Sequence, residues 1–158
     1  MINKGNNSMI QKVQIISNNI CYGPPPENGA EVEQHLTISA SGRIWFNGYN
    51  FIGGFDRYEK GRTIQLTIGK EKAQAILNLI EDYLNSGLIV MATDCGSWNM
   101  KVTLIDGTLA ERDGALIKEI FGNDTPISQT IREIIPIEDM FLFDGNYTDE
   151  DEELEYDK

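Results

Sequence analysis

Residues 32–51, VEQHLTISASGRIWFNGYNF, carry the pattern that decides the fold. Up to residue 40 the polarity alternates with period two. Val32, Leu36, Ile38 and Ala40 fall on one side with Gln34; Glu33, His35, Thr37 and Ser39 fall on the other. A strand turns successive side chains to opposite faces, so the pattern predicts a strand with one apolar face. Ser41-Gly42 is turn chemistry, and residues 43–51 read as a second strand, so the unit is a β-hairpin. A two-residue loop would pair Ile38 with Trp45 and mix the faces. A three-residue loop of Ser41, Gly42 and Arg43 pairs Ala40 with Ile44 and Ile38 with Phe46, which keeps apolar against apolar. It sets His35 against Tyr49, Thr37 against Asn47 and Ser39 against Trp45 on the other face.

Outward from the hairpin, residues 10–20 predict a first strand, with Val13 and Ile15 in step. Pro24, Pro25 and Pro26 then remove donors and fix φ, which makes a surface loop. Residues 56–62 read as a charged loop and residues 63–68 as a strand. The period then changes to the helical one: Ala73, Ile76, Leu77, Ile80 and Leu84 predict a helix over 70–86, with Lys70, Gln74, Asn78, Glu81, Asp82 and Asn85 on its polar side and Gly87 ending it. Residues 88–92 read as a short strand and 93–97 as a turn. Trp98, Met100, Val102 and Leu104 alternate, and Asp106-Gly107 predicts a two-residue hairpin into residues 108–112. Asp124-Thr125-Pro126 predicts a helix start, with Thr125 or Asp124 capping and Pro126 in the first helical position. Ile127, Ile131, Ile134 and Ile135 form the buried stripe, and Pro136 ends it. Residues 140–143 read as a last extended segment. The fold class is therefore α+β: a mainly antiparallel sheet of about six to eight strands with two amphipathic helices packed on one face.

The chain has 158 residues, 25 acids and 13 bases, for a net charge of −12. Half of that excess sits in residues 149–158 (DEDEELEYDK), with seven acids and one lysine; so acidic a segment cannot offset ordering entropy and is expected to be disordered. Residues 1–9 are expected to be a flexible start, with Met9 an alternative initiator, and residues 10–148 a single domain. The acidity argues against a nucleic-acid partner, whose backbone calls for lysine and arginine, and against an anionic membrane surface. No apolar run approaches the ~18 residues of a membrane-spanning helix.

Familiar catalytic patterns fail. Gly69-Lys70 is followed by Glu71, and Ile64 stands where a phosphate-binding loop needs its first glycine. No G-x-G-x-x-G is present. Ser97 has Cys95 and Asn99 where a nucleophile elbow has glycines. A calcium loop starting at Asp144 has Asp149 where the sharp turn needs glycine. Two cysteines outside any C-x-x-C and a single histidine cannot make a zinc site, so neither metal nor cofactor is expected. Two lone thiols, with no signal-like segment at the start, point to a reducing cytoplasm.

Two candidate sites follow. Cys95 is the one possible nucleophile, beside Asp94 with His35 as partner; but a neighbouring carboxylate raises a thiol's pKa, so a turn residue is the plainer reading. His35, Trp45 and Tyr49 form a polar-aromatic patch on one sheet face, with Trp98 a further aromatic candidate for ligand binding. A face covered by a helix would carry the same pattern, and two amphipathic helices need a sheet to cover, so that reading is preferred for His35.

Three segments carry a resemblance: residues 35–47 (HLTISASGRIWFN), 92–107 (ATDCGSWNMKVTLIDG) and 131–145 (IREIIPIEDMFLFDG). Together, over about residues 32–145, they resemble an uncharacterised family of small, Firmicutes-type bacterial proteins. The resemblance implies a bacterial cytosolic domain and carries no catalytic residues across. The leading functional expectation is a small non-enzymatic binding or interaction domain with a protein or small-molecule partner. The rivals are a cysteine-dependent or acid–base enzyme centred on Asp94, Cys95 and His35, and an acidic inhibitor or immunity-type protein that binds a basic target.

Overall fold

The computed structural model describes residues 8–20, 25–53, 57–86 and 96–145. Among these residues the main sheet has six strands: β1 (Ile10–Asn18), β2 (Glu31–Ser39), β3 (Arg43–Phe51), β4 (Tyr58–Thr67), β5 (Ser97–Leu104) and β6 (Leu109–Ala115), in the spatial order β4-β3-β2-β1-β5-β6. Every neighbouring pair is antiparallel. Helix α1 (Lys70–Ser86) joins the β4 edge to the far half of the sheet. A two-stranded hairpin, β7 (Phe121–Gly122) with β8 (Thr125–Pro126), leads directly into α2 (Ile127–Ile134). This is the α+β sheet with two helices that the periodicities predict.

The core lies between the helices and one face of the sheet. The inner face is built in rows that cross all six strands. One row runs Leu66, Ile44, Ile38, Val13, Val102, Ala110, and the next begins Ile64, Phe46, Leu36, Ile15, Met100. Ala73, Ile76, Leu77, Ile80 and Tyr83 of α1 and Ile127 and Ile131 of α2 pack against these rows. Trp98 is 1% exposed and sits in this core, with ring centroids 4.9 Å from Phe143 and 6.3 Å from Tyr83, both edge-on. Its strand partner is Gly114, where a Cβ would lie 2.4 Å from the indole, so only glycine lets the ring lie across β6.

The hairpin registers differ from expectation for one shared reason. Ile38 pairs with Ile44 and Leu36 with Phe46, so the loop is Ala40, Ser41 and Gly42, one residue earlier than expected. Gly42 has φ +97° and its N–H bonds to Ser39 O at 2.9 Å. A three-residue loop ends in a left-handed residue, and that requirement places glycine third rather than second. The second hairpin obeys the same rule. Gly107 has φ +91°, and Leu104 N–H bonds to Thr108 O, so the loop is Ile105-Asp106-Gly107 rather than two residues. The two-residue turn occurs elsewhere: Asn123 and Asp124, with φ 51° and 64°, link β7 to β8 where the sequence suggests a helix cap.

Other differences are local. Helix α2 begins at Ile127, and Pro126 is its cap residue without a side-chain cap bond. Glu119 supplies the cap from outside, accepting N–H bonds from Ser128 at 2.9 Å and Gln129 at 3.1 Å. Gln74, expected on the polar side of α1, is buried and accepts from Ser8 N–H at 3.0 Å. Ser8 and Met9, expected to be flexible, are also held by Glu81, which accepts from Ser8 Oγ and Met9 N–H. Strand β4 starts at Tyr58, inside the segment read as loop. The predicted strand over 88–92, the helix stop at Gly87 and the acidic tail 149–158 lie outside the described residues.

Candidate functional site

Both helices pack on the inner face. Among the described residues, no element covers the opposite, outer face of the sheet. This corrects the expectation that a helix lies over His35. The outer face is ordered by the strand registers into four rows. Thr67, Arg43, Ser39, Lys12, Thr103 and Leu109 form the first; Gln65, Trp45, Thr37, Gln14, Lys101 and Glu111 the second. Thr63, Asn47, His35, Ile16, Asn99 and Asp113 form the third; Lys60, Tyr49, Glu33, Asn18 and Ser97 lie in the fourth. His35 pairs with Asn47 and Thr37 with Trp45, a displacement of two residues that leaves each side chain on its expected face.

The third and fourth rows are closely knit. His35 Nε2 lies 2.7 Å from Glu33 Oε2. Asn18 Nδ2 donates to Glu33 Oε1 and to Tyr58 Oη, both at 3.0 Å. The His35 and Tyr49 rings are tilted against each other with centroids 4.6 Å apart, a diagonal contact across β2 and β3. Hydrogen bonds from His35 and Asn18, together with the imidazole's charge, outweigh the desolvation of half-burial and hold the Glu33 carboxyl below its ordinary range. Thr63 Oγ1 donates to Asn47, and Asn99 Nδ2 donates to both Glu111 and Asp113 at 2.7 Å.

The first and second rows are different. Here the sheet surface is hollowed into a depression of about 500 Å³ that spans β2, β1, β5 and β6. Lys12, Gln14, Thr37, Lys101 and Thr103 line it, and among the described residues none of these five side chains has an ion pair or a side-chain hydrogen bond. Trp45 stands beside the depression as the strand partner of Thr37, with the Arg43 guanidinium 5.4 Å from its ring centroid.

Of the residues expected to form a site, His35 and Tyr49 are in contact, and Trp45 shares their face one row away or more. Trp98 does not join them, because it points into the core from the opposite side of the sheet. Asp94 and Cys95 lie outside the described residues. Among the described residues there is no cluster of three or more metal-ligating side chains, and no helix is long and apolar enough to cross a membrane. Lys12, Gln14, Lys101 and Thr103 were missed by sequence reasoning. Alternation alone puts them on the outer face, opposite Val13, Ile15, Met100 and Val102; what brings them together is the adjacency of β1 and β5, which no local pattern announces. In sequence, no protein-family model and no curated protein matches the chain.

Proposed function

We propose that the chain is a small non-enzymatic binding domain whose ligand or partner lies on the outer face of the sheet. One observation carries this reading: both helices pack on the inner face, and the outer face presents half-buried Trp45, Tyr49 and His35 beside a concave polar depression. Soluble sheets commonly expose one face, but a concavity with a few convergent polar groups is the usual form of a small-molecule site. The bacterial, cytoplasmic setting rests on the family resemblance and the two lone thiols.

Chemical-shift mapping of the labelled full chain against a metabolite library tests the proposal. Amide and indole shifts are expected at Gln14, His35, Trp45, Tyr49 or Lys101. Shifts confined to inner-face positions such as Trp98 would remove the outer face from consideration, and a silent library would remove its aromatic end, His35 and Tyr49, as a metabolite site.

A further inference from the structure

We infer that the depression between β2, β1, β5 and β6 binds the phosphate group of a small phosphorylated molecule. This rests on the binding-face reading above and names the ligand chemistry. Lys12 pairs with Thr103 and Gln14 with Lys101, so the two lysines are diagonal neighbours on adjacent strands, a separation of about 7–8 Å between backbones that long side chains can close. Neither ammonium has a carboxylate within ion-pair distance among the described residues, whereas Arg62 and Arg132 are both paired, with Glu31 and Asp144. Two like charges side by side repel, and a shared anion converts that repulsion into attraction.

The neighbouring groups fit the same ligand. The Gln14 amide and the Thr37 and Thr103 hydroxyls are free to donate to phosphate oxygens. Among the described residues the cations lining the depression are both lysines. A tetrahedral phosphate, whose oxygens can be met from several directions, is well served by lysine point charges with hydroxyls around them. Glu111 also lines the rim, but its Oε2 is held by Asn99 at 2.7 Å. The volume of about 500 Å³ is that of a metabolite site, and a net charge of −12 disfavours an extended polyanion.

The test is a titration of the full chain with inorganic pyrophosphate, followed by amide shifts at constant ionic strength. Saturable shifts are expected at Lys12, Gln14, Thr37, Lys101 and Thr103. Affinity should fall at least about tenfold in the Lys12→Gln/Lys101→Gln double variant, whose substitutions are exposed and leave the rest of the spectrum in place. Succinate, as the carboxylate comparator, should bind more weakly than pyrophosphate. Absence of saturation at these amides, equal affinity in the double variant, succinate binding as tight as pyrophosphate, or tighter binding of a 20-base-pair duplex would each overturn the inference. The two proposals fail separately. Library shifts at His35 and Tyr49 without a pyrophosphate response would keep the binding face and remove this site. A silent library with pyrophosphate binding that the double variant loses would keep this site alone.

Discussion

The two ends of the outer face are built from similar residues and arranged in opposite ways. At the Glu33 end, carboxylate, imidazole, amide and phenol side chains satisfy one another: His35 and Asn18 both bond to Glu33, and Asn18 also bonds to Tyr58. On the inner side of the same strands, past the register shift between Glu31 and Glu33, Glu31 takes two bonds from Arg62, at 3.0 and 2.7 Å, and one from buried Gln34 at 2.8 Å. At the Lys12 end, five polar side chains face a depression without side-chain partners among the described residues. A hydrogen bond already made within the protein stabilises the fold, and an unmade one at a concave surface is left for a ligand. The difference assigns structure to one end and recognition to the other.

The largest effect is expected behind the Glu33 end, on the inner side of the same strands. Glu31→Ala leaves Arg62 and Gln34 without their carboxylate, and is expected to cost about 2 kcal/mol by urea denaturation; a loss under ~0.5 kcal/mol would show that this network contributes little. Glu33→Ala, which takes away the carboxylate of His35 and leaves Asn18 with Tyr58, should cost about 1 kcal/mol by the same measurement.

The pH dependence sharpens the point. The Glu33 carboxyl titrates below its ordinary range in the folded chain. Its contribution to stability is therefore present above the unfolded pKa of about 4.3 and is lost as pH falls through the lower folded value. The stability difference between wild type and Glu33→Gln should shrink as pH drops from 6 toward about 3. A constant difference would mean that the carboxylate charge is not what stabilises the cluster. The smallest effect belongs to the other end: Thr37→Val and Thr103→Val should each change stability by less than about 0.5 kcal/mol while weakening pyrophosphate binding. A large loss of stability from either would erase the contrast between the two ends.

Much of this architecture is legible in the sequence, and the limits are instructive. Alternation places residues 33–39 and 44–49 on their correct faces because the side-chain period of a strand is two, so a register displaced by two residues changes partners without changing faces. The partners themselves depend on which loop position must take a positive φ, and Gly42 and Gly107 both stand third in their loops. The span of α1 follows from its apolar stripe, but the burial of Gln74 does not, since that depends on Ser8 arriving from a distant part of the chain. The aromatic patch of His35 and Tyr49 is visible in the pattern. Its exposure is not, because amphipathic helices declare that they cover a face without declaring which one. Trp98 shows the same limit from the other side: its alternation with Met100 and Val102 marks a strand face, and only the packing of Phe143 and Tyr83 around it makes that face the core.

The central position of β1 bears on how the chain assembles. Strands β1 to β4 form a meander whose partners are near in sequence, but the other side of β1 bonds to β5, with Ile10 opposite Leu104. Until α1 and β5 have been placed, β1 is an edge strand with Val13 and Ile15 on its apolar side. Long-range antiparallel closure of this kind is slow, because loop entropy is lost before the contacts form. The half-made sheet would be the species most open to mispairing with another chain, and refolding should be limited by the docking of β5 rather than by the hairpins.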